Sequence, residues 1–540
     1  LAEQNIRRKE GSHGKRKTVC AAIGKMSGLP EMRYKDGIKK TTQVKVKGYD
    51  HNPGAGDGAL WDMKNMTGDK FPLLSTRRKR LLLRCLEEPH GLYAHDGLFW
   101  VGGMGFFANG EQKGTVEAGK KEFVSLGKYL LIFPDKAYYR TDTGEFGALE
   151  AEWTGTVTIT SGTYGGKPAA ANTIKTTGKP FPFAVNEAVK ITGCTLSEND
   201  KTPIIRELSE SKKELRFYEN TFAQKSWTGQ VTLKREVPDL DFLCENENRV
   251  WGCKGDTIYA SYLGNPFIWN NFDGLATDSF AVEVGSAGNF TAACSFMGYP
   301  MFFKEDHIYK VYGSKPSNFQ VMGSARLGVK AGAEKSLAVA GERLFYLSRS
   351  GIAACSGGMP EDISHAFGEA VYQNAAGGSD GGKYYVSMKE RETGAWHLFV
   401  FDTRTGLWHR EDSTEVLDFA WDNGGLVCLD RGGSMWLCNP GGTEEQGEEE
   451  AQLQSFAEFG DFIENSSDEK GLSKIQLRVE LEPGATLGIK LKFDSEDAWQ
   501  TVSVLQAAPK KRSFLLPVIP RRCDHWRLRL EGTGGWTLYS

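Results

Sequence analysis

Carboxylates, thiols and imidazoles are the groups from which acid–base, metal and nucleophilic sites are built, and the 540 residues hold 69 Asp/Glu, 10 Cys and 9 His. Their spacing fits few templates. No G-x-S-x-G elbow exposes a serine nucleophile, and no H-E-x-x-H pair sets two imidazoles one turn apart for zinc. The cysteines, at 20, 85, 194, 244, 253, 294, 355, 428, 438 and 523, stand singly with no C-x-x-C pair. Thiolates need such pairing to converge on one ion, so buried free thiols are expected rather than a metal site. Gly102-Gly103-Met104-Gly105 lacks the third glycine of a dinucleotide loop, and the stretch from Gly162 to Pro168 has proline where a phosphate loop needs Ser or Thr. No catalytic residue, cofactor or metal is therefore expected. One chemical alternative stays open: two carboxylates facing each other in a central channel could hydrolyse a glycosidic bond. The repeated Ser-x-Asp-x-Gly-x-Thr-Trp turn of sialidase-type repeats is absent.

The elements that would position any such group read as strands. Glycine reaches 64 residues and aromatics 61 (30 Phe, 18 Tyr, 13 Trp), with no three-residue glycine period, which excludes collagen and argues against disorder. From about residue 88 a Gly, Asp or Asn turn repeatedly precedes a short aromatic or β-branched strand, at Asp96-Gly97, Leu126-Gly127, Arg249, Tyr299, Glu342, Gly382 and Gly424. Seven strand-turn-strand units of this kind predict an all-β fold, a β-propeller of about seven blades over 88–152 and 237–440. Residues 153–236 break the rhythm with alternating strands and read as an inserted small β-barrel or sandwich. Residues 441–454 form an acidic linker, with five Glu between Glu444 and Glu450. Clean alternation from Ile475 to Leu481 and from Leu487 to Phe493 predicts a C-terminal β-sandwich over 455–540.

Charge is distributed unevenly around the net value of −3. Residues 1–50 carry 13 Lys/Arg against 5 Asp/Glu, and 1–87 reads as an extended N-terminal arm because Gly and Asx residues are too dense between 48 and 58 for a helix. Arg77-Arg78-Lys79-Arg80 ends the arm as a solvated cluster or as a dock for an acidic partner. Near the other end, alternation puts Trp526, Leu528 and Leu530 on one strand face and His525, Arg527 and Arg529 on the other, a basic face that is either solvated or meets an acidic partner. No apolar run reaches the ~18 residues of a membrane span, and the first thirty residues lack the apolar stretch of a secretory leader.

The arm motif from Gly48-Tyr49-Asp50-His51-Asn52 through Gly56-Asp57-Gly58-Ala59-Leu60-Trp61-Asp62-Met63-Lys64-Asn65-Met66 to Phe71-Pro72-Leu73-Leu74-Ser75 and Arg77 resembles the N-terminus of virion proteins of tailed bacteriophages and prophages of Gram-positive bacteria. The ending Arg521-Arg522-Cys523-Asp524-His525-Trp526-Arg527-Leu528-Arg529-Leu530 is similar to theirs too. The resemblance implies a tail nozzle or packaged-DNA stabilisation protein: a non-enzymatic homo-oligomeric ring, hexamer favoured, below portal and adaptor, docking other tail proteins and touching phage DNA transiently, in the virion. The partner-contact residues it points to are Tyr49, Asp57, Trp61, Met63, Phe71, Arg77, Arg78, Arg80, Arg521, Arg522, Trp526 and Arg527. The alternative from another class is a tail-associated carbohydrate-binding or glycoside-hydrolysing propeller.

Overall fold

A meander of four antiparallel strands recurs along the chain in a computed structural model that describes residues 40–43, 45–56, 58–162, 172–217, 221–223, 226–440, 447–463, 469–506 and 508–540. Asp57, Cys20, most of the basic N-terminus and residues 163–168 of the phosphate-loop-like stretch lie outside them. The described chain is all-β, with helix confined to short 3-10 turns. The first sheet comprises Pro89–Ala94, Leu98–Gly102, Gly105–Ala108 and Glu111–Thr115 in simple up-and-down order. Five more of the same order run over 122–148, 242–283, 292–325, 338–362 and 372–410. Consecutive left-handed residues make the tight turns: Asp96-Gly97, Asn109-Gly110 and Asn423-Gly424 all have positive φ, the backbone that matches the twist of a two-residue hairpin.

A seventh sheet takes Val416–Asp422, Gly425–Asp430 and Ser434–Leu437 from late in the chain, and its fourth strand, β4 (Leu81–Cys85), from far earlier. Each sheet shares buried side chains with the next. Phe99 and Phe106 of the first meet Leu130 and Ile132 of the second, whose Leu131 and Phe133 meet Leu243 and Val250 of the third. Trp251 of the third meets Phe302 of the fourth, and Tyr385 of the sixth meets Leu426 and Cys428 of the seventh. The last contact returns to the start, because Leu92 and Trp100 of the first sheet bury against Val427 and Leu429 of the seventh. Each such fully buried side chain contributes about 1.5–3 kcal/mol.

Gly433 permits the return of β4. Its φ is +90°, its carbonyl accepts from Leu86 N at 2.8 Å, and a Cβ there would sit 2.0 Å from Leu86 O. Gly433→Ala is expected to destabilise the protein by at least about 2 kcal/mol, left-handed strain and clash together, read as a lowered denaturation midpoint.

Three further early strands leave the seven sheets. β1 (Leu60–Lys64) lies on Gln454–Phe459 at one end of a five-stranded sheet, while β2 (Met66–Thr67) and β3 (Leu74–Thr76) extend a second five-stranded sheet through Trp536–Leu538. The two sheets share one apolar core, in which Leu60, Met63, Met66 and Leu74 meet Ile475, Leu477, Leu487 and Ile489. The extended arm expected over 1–87 is thus corrected where β1–β4 pair as sheet strands; Leu60 and Met63, three residues apart, both face inward because the register slips between Leu60 and Asp62. The acidic linker is corrected likewise at Glu448–Glu449, which pairs with β4.

Between the second and third sheets, 151–235 form a separate six-stranded sheet around Trp153, Ile159, Val231 and Leu233. Its edges meet: Val189 N donates to Pro203 O at 3.0 Å and Ile191 N to Lys201 O at 2.7 Å. Among the described cysteines, Cys244, Cys253, Cys355, Cys428, Cys438 and Cys523 are buried, whereas Cys85 is exposed.

Candidate functional site

Most residues singled out as partner contacts converge where the early segment crosses the sixth sheet and the C-terminal sheets. Gly48 comes first, at φ +78°, because a Cβ would meet Trp408 O at 2.6 Å. Tyr49 N then donates to that carbonyl at 2.7 Å, and the Tyr49 ring stands edge-on to Phe399 with centroids 5.3 Å apart. Burial pushes the Tyr49 phenol well up, so it stays neutral. His51 bonds Trp61 O through Nδ1 at 2.8 Å, and its ring packs on the Trp61 ring at 4.0 Å. Met63 is fully buried in the core and Phe71 is at the surface.

The basic cluster divides by side-chain direction. Arg77 and Arg80 are 7% and 2% exposed. Arg77 makes a forked bond to Glu450, at 2.7 and 2.8 Å, and donates through Nε to Asn65 Oδ1 at 2.8 Å. Arg80 reaches Glu411 at 2.6 Å and Asp412 at 2.9 Å. Burial opposes ionisation of Asp412 and Glu450, but the two guanidinium groups outweigh it and hold both carboxyls below the usual range. The expectation of a solvated cluster is therefore corrected for Arg77 and Arg80, whose acidic partner is this same chain. Arg78, which donates to Pro440 O at 3.2 Å, keeps its exposure.

The C-terminal basic face is consumed in a similar way. Arg527 binds Asp461 at 2.5 Å, approaches Glu458 at 3.4 Å and lies over the Trp61 ring at 4.6 Å, while Arg529 pairs with Glu458 and Glu531. Trp526 stacks on Phe462 with centroids 4.2 Å apart. Arg521 pairs with Glu496 and Arg522 with Glu469 at 3.6 Å, both at the surface. An open basic strand face is thus corrected to a neutralised one, with Arg521 and Arg522 left outermost. Glu411, Asp412 and Glu450 complete the junction with His51 of the arm motif; the three carboxylates were not singled out in the sequence, where Glu450 belonged to a run of acids.

A second polar cluster joins first strands that stand apart in sequence. Asp418 of the seventh sheet accepts from Leu92 N of the first at 3.2 Å and pairs with Lys335 at 3.0 Å. Lys335, just before the fifth sheet, also lies 3.8 Å from Glu122 of the second and donates to Lys121 O at 3.1 Å. Lys120 pairs with both Glu122 and Glu334. Burial disfavours the Lys335 charge, but Asp418 and Glu122 more than restore it, so the ammonium persists far above neutrality. A hydrolytic carboxylate pair needs about 5–9.5 Å and room for a sugar between its members; here one ammonium lies between Glu122 and Asp418.

His409, buried beside Lys383, is the clearest pH sensor at the junction. Burial first, and the Lys383 charge second, lower its pKa from 6.5 to about 4. A depressed base favours the fold only while neutral, so this contribution is complete above pH 6.5 and drains as pH falls towards 4. Acidifying from pH 7 to 4.5 is expected to cost about 2–3 kcal/mol through this group, measured as denaturation midpoints of wild type against His409→Gln, whose curve loses that component.

No family model and no curated protein matches the chain. Solved structures with partial likeness include a computationally designed protein, Ika8 (11% identity, TM-score 0.32, covering 67% of this chain and 100% of that one). BamB from Moraxella catarrhalis gives 10% identity and TM-score 0.31, with 69% and 99% coverage. PorZ from Porphyromonas gingivalis gives 10% and 0.26, with 85% and 81% coverage. Likenesses at these scores identify no family. No helix among the described residues is long and apolar enough to cross a membrane.

Proposed function

We propose that the chain is a non-enzymatic structural component of a bacteriophage tail, a nozzle- or stabilisation-like protein acting as a homo-oligomeric ring. In this reading the seven sheets are the blades of a β-propeller closed by β4, 151–235 is a small inserted barrel, and the C-terminal sheets form a sandwich. The observation that supports it is the junction at Arg77 and Arg80. The residues carrying the resemblance to virion proteins bind the early segment, the sixth and seventh sheets and the C-terminal sheets to one another, as a part that transmits load requires. Lys335 between Glu122 and Asp418 supports a closed axis rather than a sugar-cleaving one. Arg521, Arg522, Arg78 and Phe71 remain at the surface for neighbouring subunits, adaptor or DNA. Electron microscopy of the purified protein and of particles containing it tests the reading: rings at the tail end are expected, and a protein found solely as a free monomer or away from the tail overturns it.

A further inference from the structure

The connection between the third and fourth strands of the third sheet, 261–279, buries oxygen atoms that have no hydrogen-bond partner among the described residues. Asn271 and Asp278 are 2% and 1% exposed. Asn271 Nδ2 donates to Asn186 O at 3.4 Å, and its buried Oδ1 has no donor among the described residues. Asp278 Oδ2 accepts from Leu275 N at 2.8 Å, but Asp278 Oδ1 accepts from no donor among the described residues. The bond from Ser279 N to Asn271 O at 3.0 Å holds the two ends of the loop side by side. Asp273 lies between them in sequence, close enough to Asp278 that the two charges interact. The nearby cation, Arg249, spends its hydrogen bonds on the carbonyls of Ser261, Ala276, Thr277 and Asp278 at 2.6–3.4 Å.

A buried acceptor without a donor costs about 1–3 kcal/mol, more when charged, and this loop carries two of them with a second carboxylate. We propose that Asn271, Asp273 and Asp278 form a site for a hard divalent cation, calcium in preference to magnesium. Calcium accepts an irregular set of amide, carboxylate and water oxygens, whereas magnesium demands near-ideal octahedral geometry. A bound ion would fasten the inserted sheet, through Asn186, to the third sheet. The site does not depend on the role proposed above.

The test uses the full chain after chelator treatment, with terbium as a luminescent calcium substitute excited through Trp269 of the same loop. Saturable emission displaced by calcium is expected, together with a calcium-dependent rise in melting temperature. Asp273→Asn and Asp278→Asn, each of the same shape as the residue replaced, should each weaken binding at least about tenfold. Two results overturn the proposal: binding and melting indifferent to calcium in the wild type, or emission that survives both substitutions and vanishes with Asp524→Asn, at the exposed Asp494, Asp524 and His525 cluster.

Discussion

Deleting residues 1–87 is expected to leave no soluble folded protein. The deletion removes β1–β4, and with them Leu60, Met63, Met66 and Leu74, all within 1% of complete burial. Truncating one such side chain to alanine costs about 2–5 kcal/mol, so losing four costs about 8–20 kcal/mol, as much as the roughly 5–15 kcal/mol that holds a typical domain. The edges of Gln454–Phe459, Trp536–Leu538 and Ser434–Leu437 would be left unpaired, and exposed edges template aggregation. Size-exclusion chromatography of the truncated chain decides: a monodisperse, strand-rich product would show that the early strands are dispensable.

Arg80→Ala should give the largest effect of any single charge substitution. It strands Glu411 and Asp412 with a weakened cationic partner, and breaking a buried pair from one side costs about 3–5 kcal/mol. The pH dependence identifies the cause. Asp412 is depressed in the folded state, so the stability it supplies is present above the ordinary carboxylate range and lost as pH falls through its folded value. The gap between wild type and Arg80→Ala should therefore be widest near pH 7 and narrow below pH 4, measured by denaturant midpoints. A gap that does not change with pH would assign the loss to packing of the arginine stem instead.

Local pattern carried much of the fold. The strands opening near Leu98, Tyr129, Arg249, Tyr299, Arg343, Lys383 and Gly425 stand where turn residues precede apolar runs, because tight turns and alternation are encoded within ten residues. Partner choice is not encoded at that range. β1 reads only as part of an extended arm, because its neighbour, Gln454–Phe459, lies almost 400 residues on, and nothing near Trp61 announces it. The junction was half legible for the same reason: Arg77 and Arg80 were conspicuous, while their carboxylates come from two distant places, Glu411-Asp412 and Glu450. The Asn271, Asp273 and Asp278 loop was missed because its chemistry depends on burial, which the sequence Asn-Phe-Asp-Gly does not reveal.

The strand that completes the seventh sheet also sets a timetable for synthesis. Leu81–Cys85 leaves the ribosome about 350 residues before Ser434–Leu437 exists to receive it, roughly 20–70 s at about 5–20 residues per second. Throughout that interval β4 has no native neighbour and β1–β3 lack the late strands they join, and the newborn chain must avoid pairing with a second copy on the same message. Closure of the seventh sheet is then late, followed by the C-terminal sheets that receive β1–β3, so a product released before Ser434 would carry six finished sheets and early strands without their late partners, the form most in need of a chaperone.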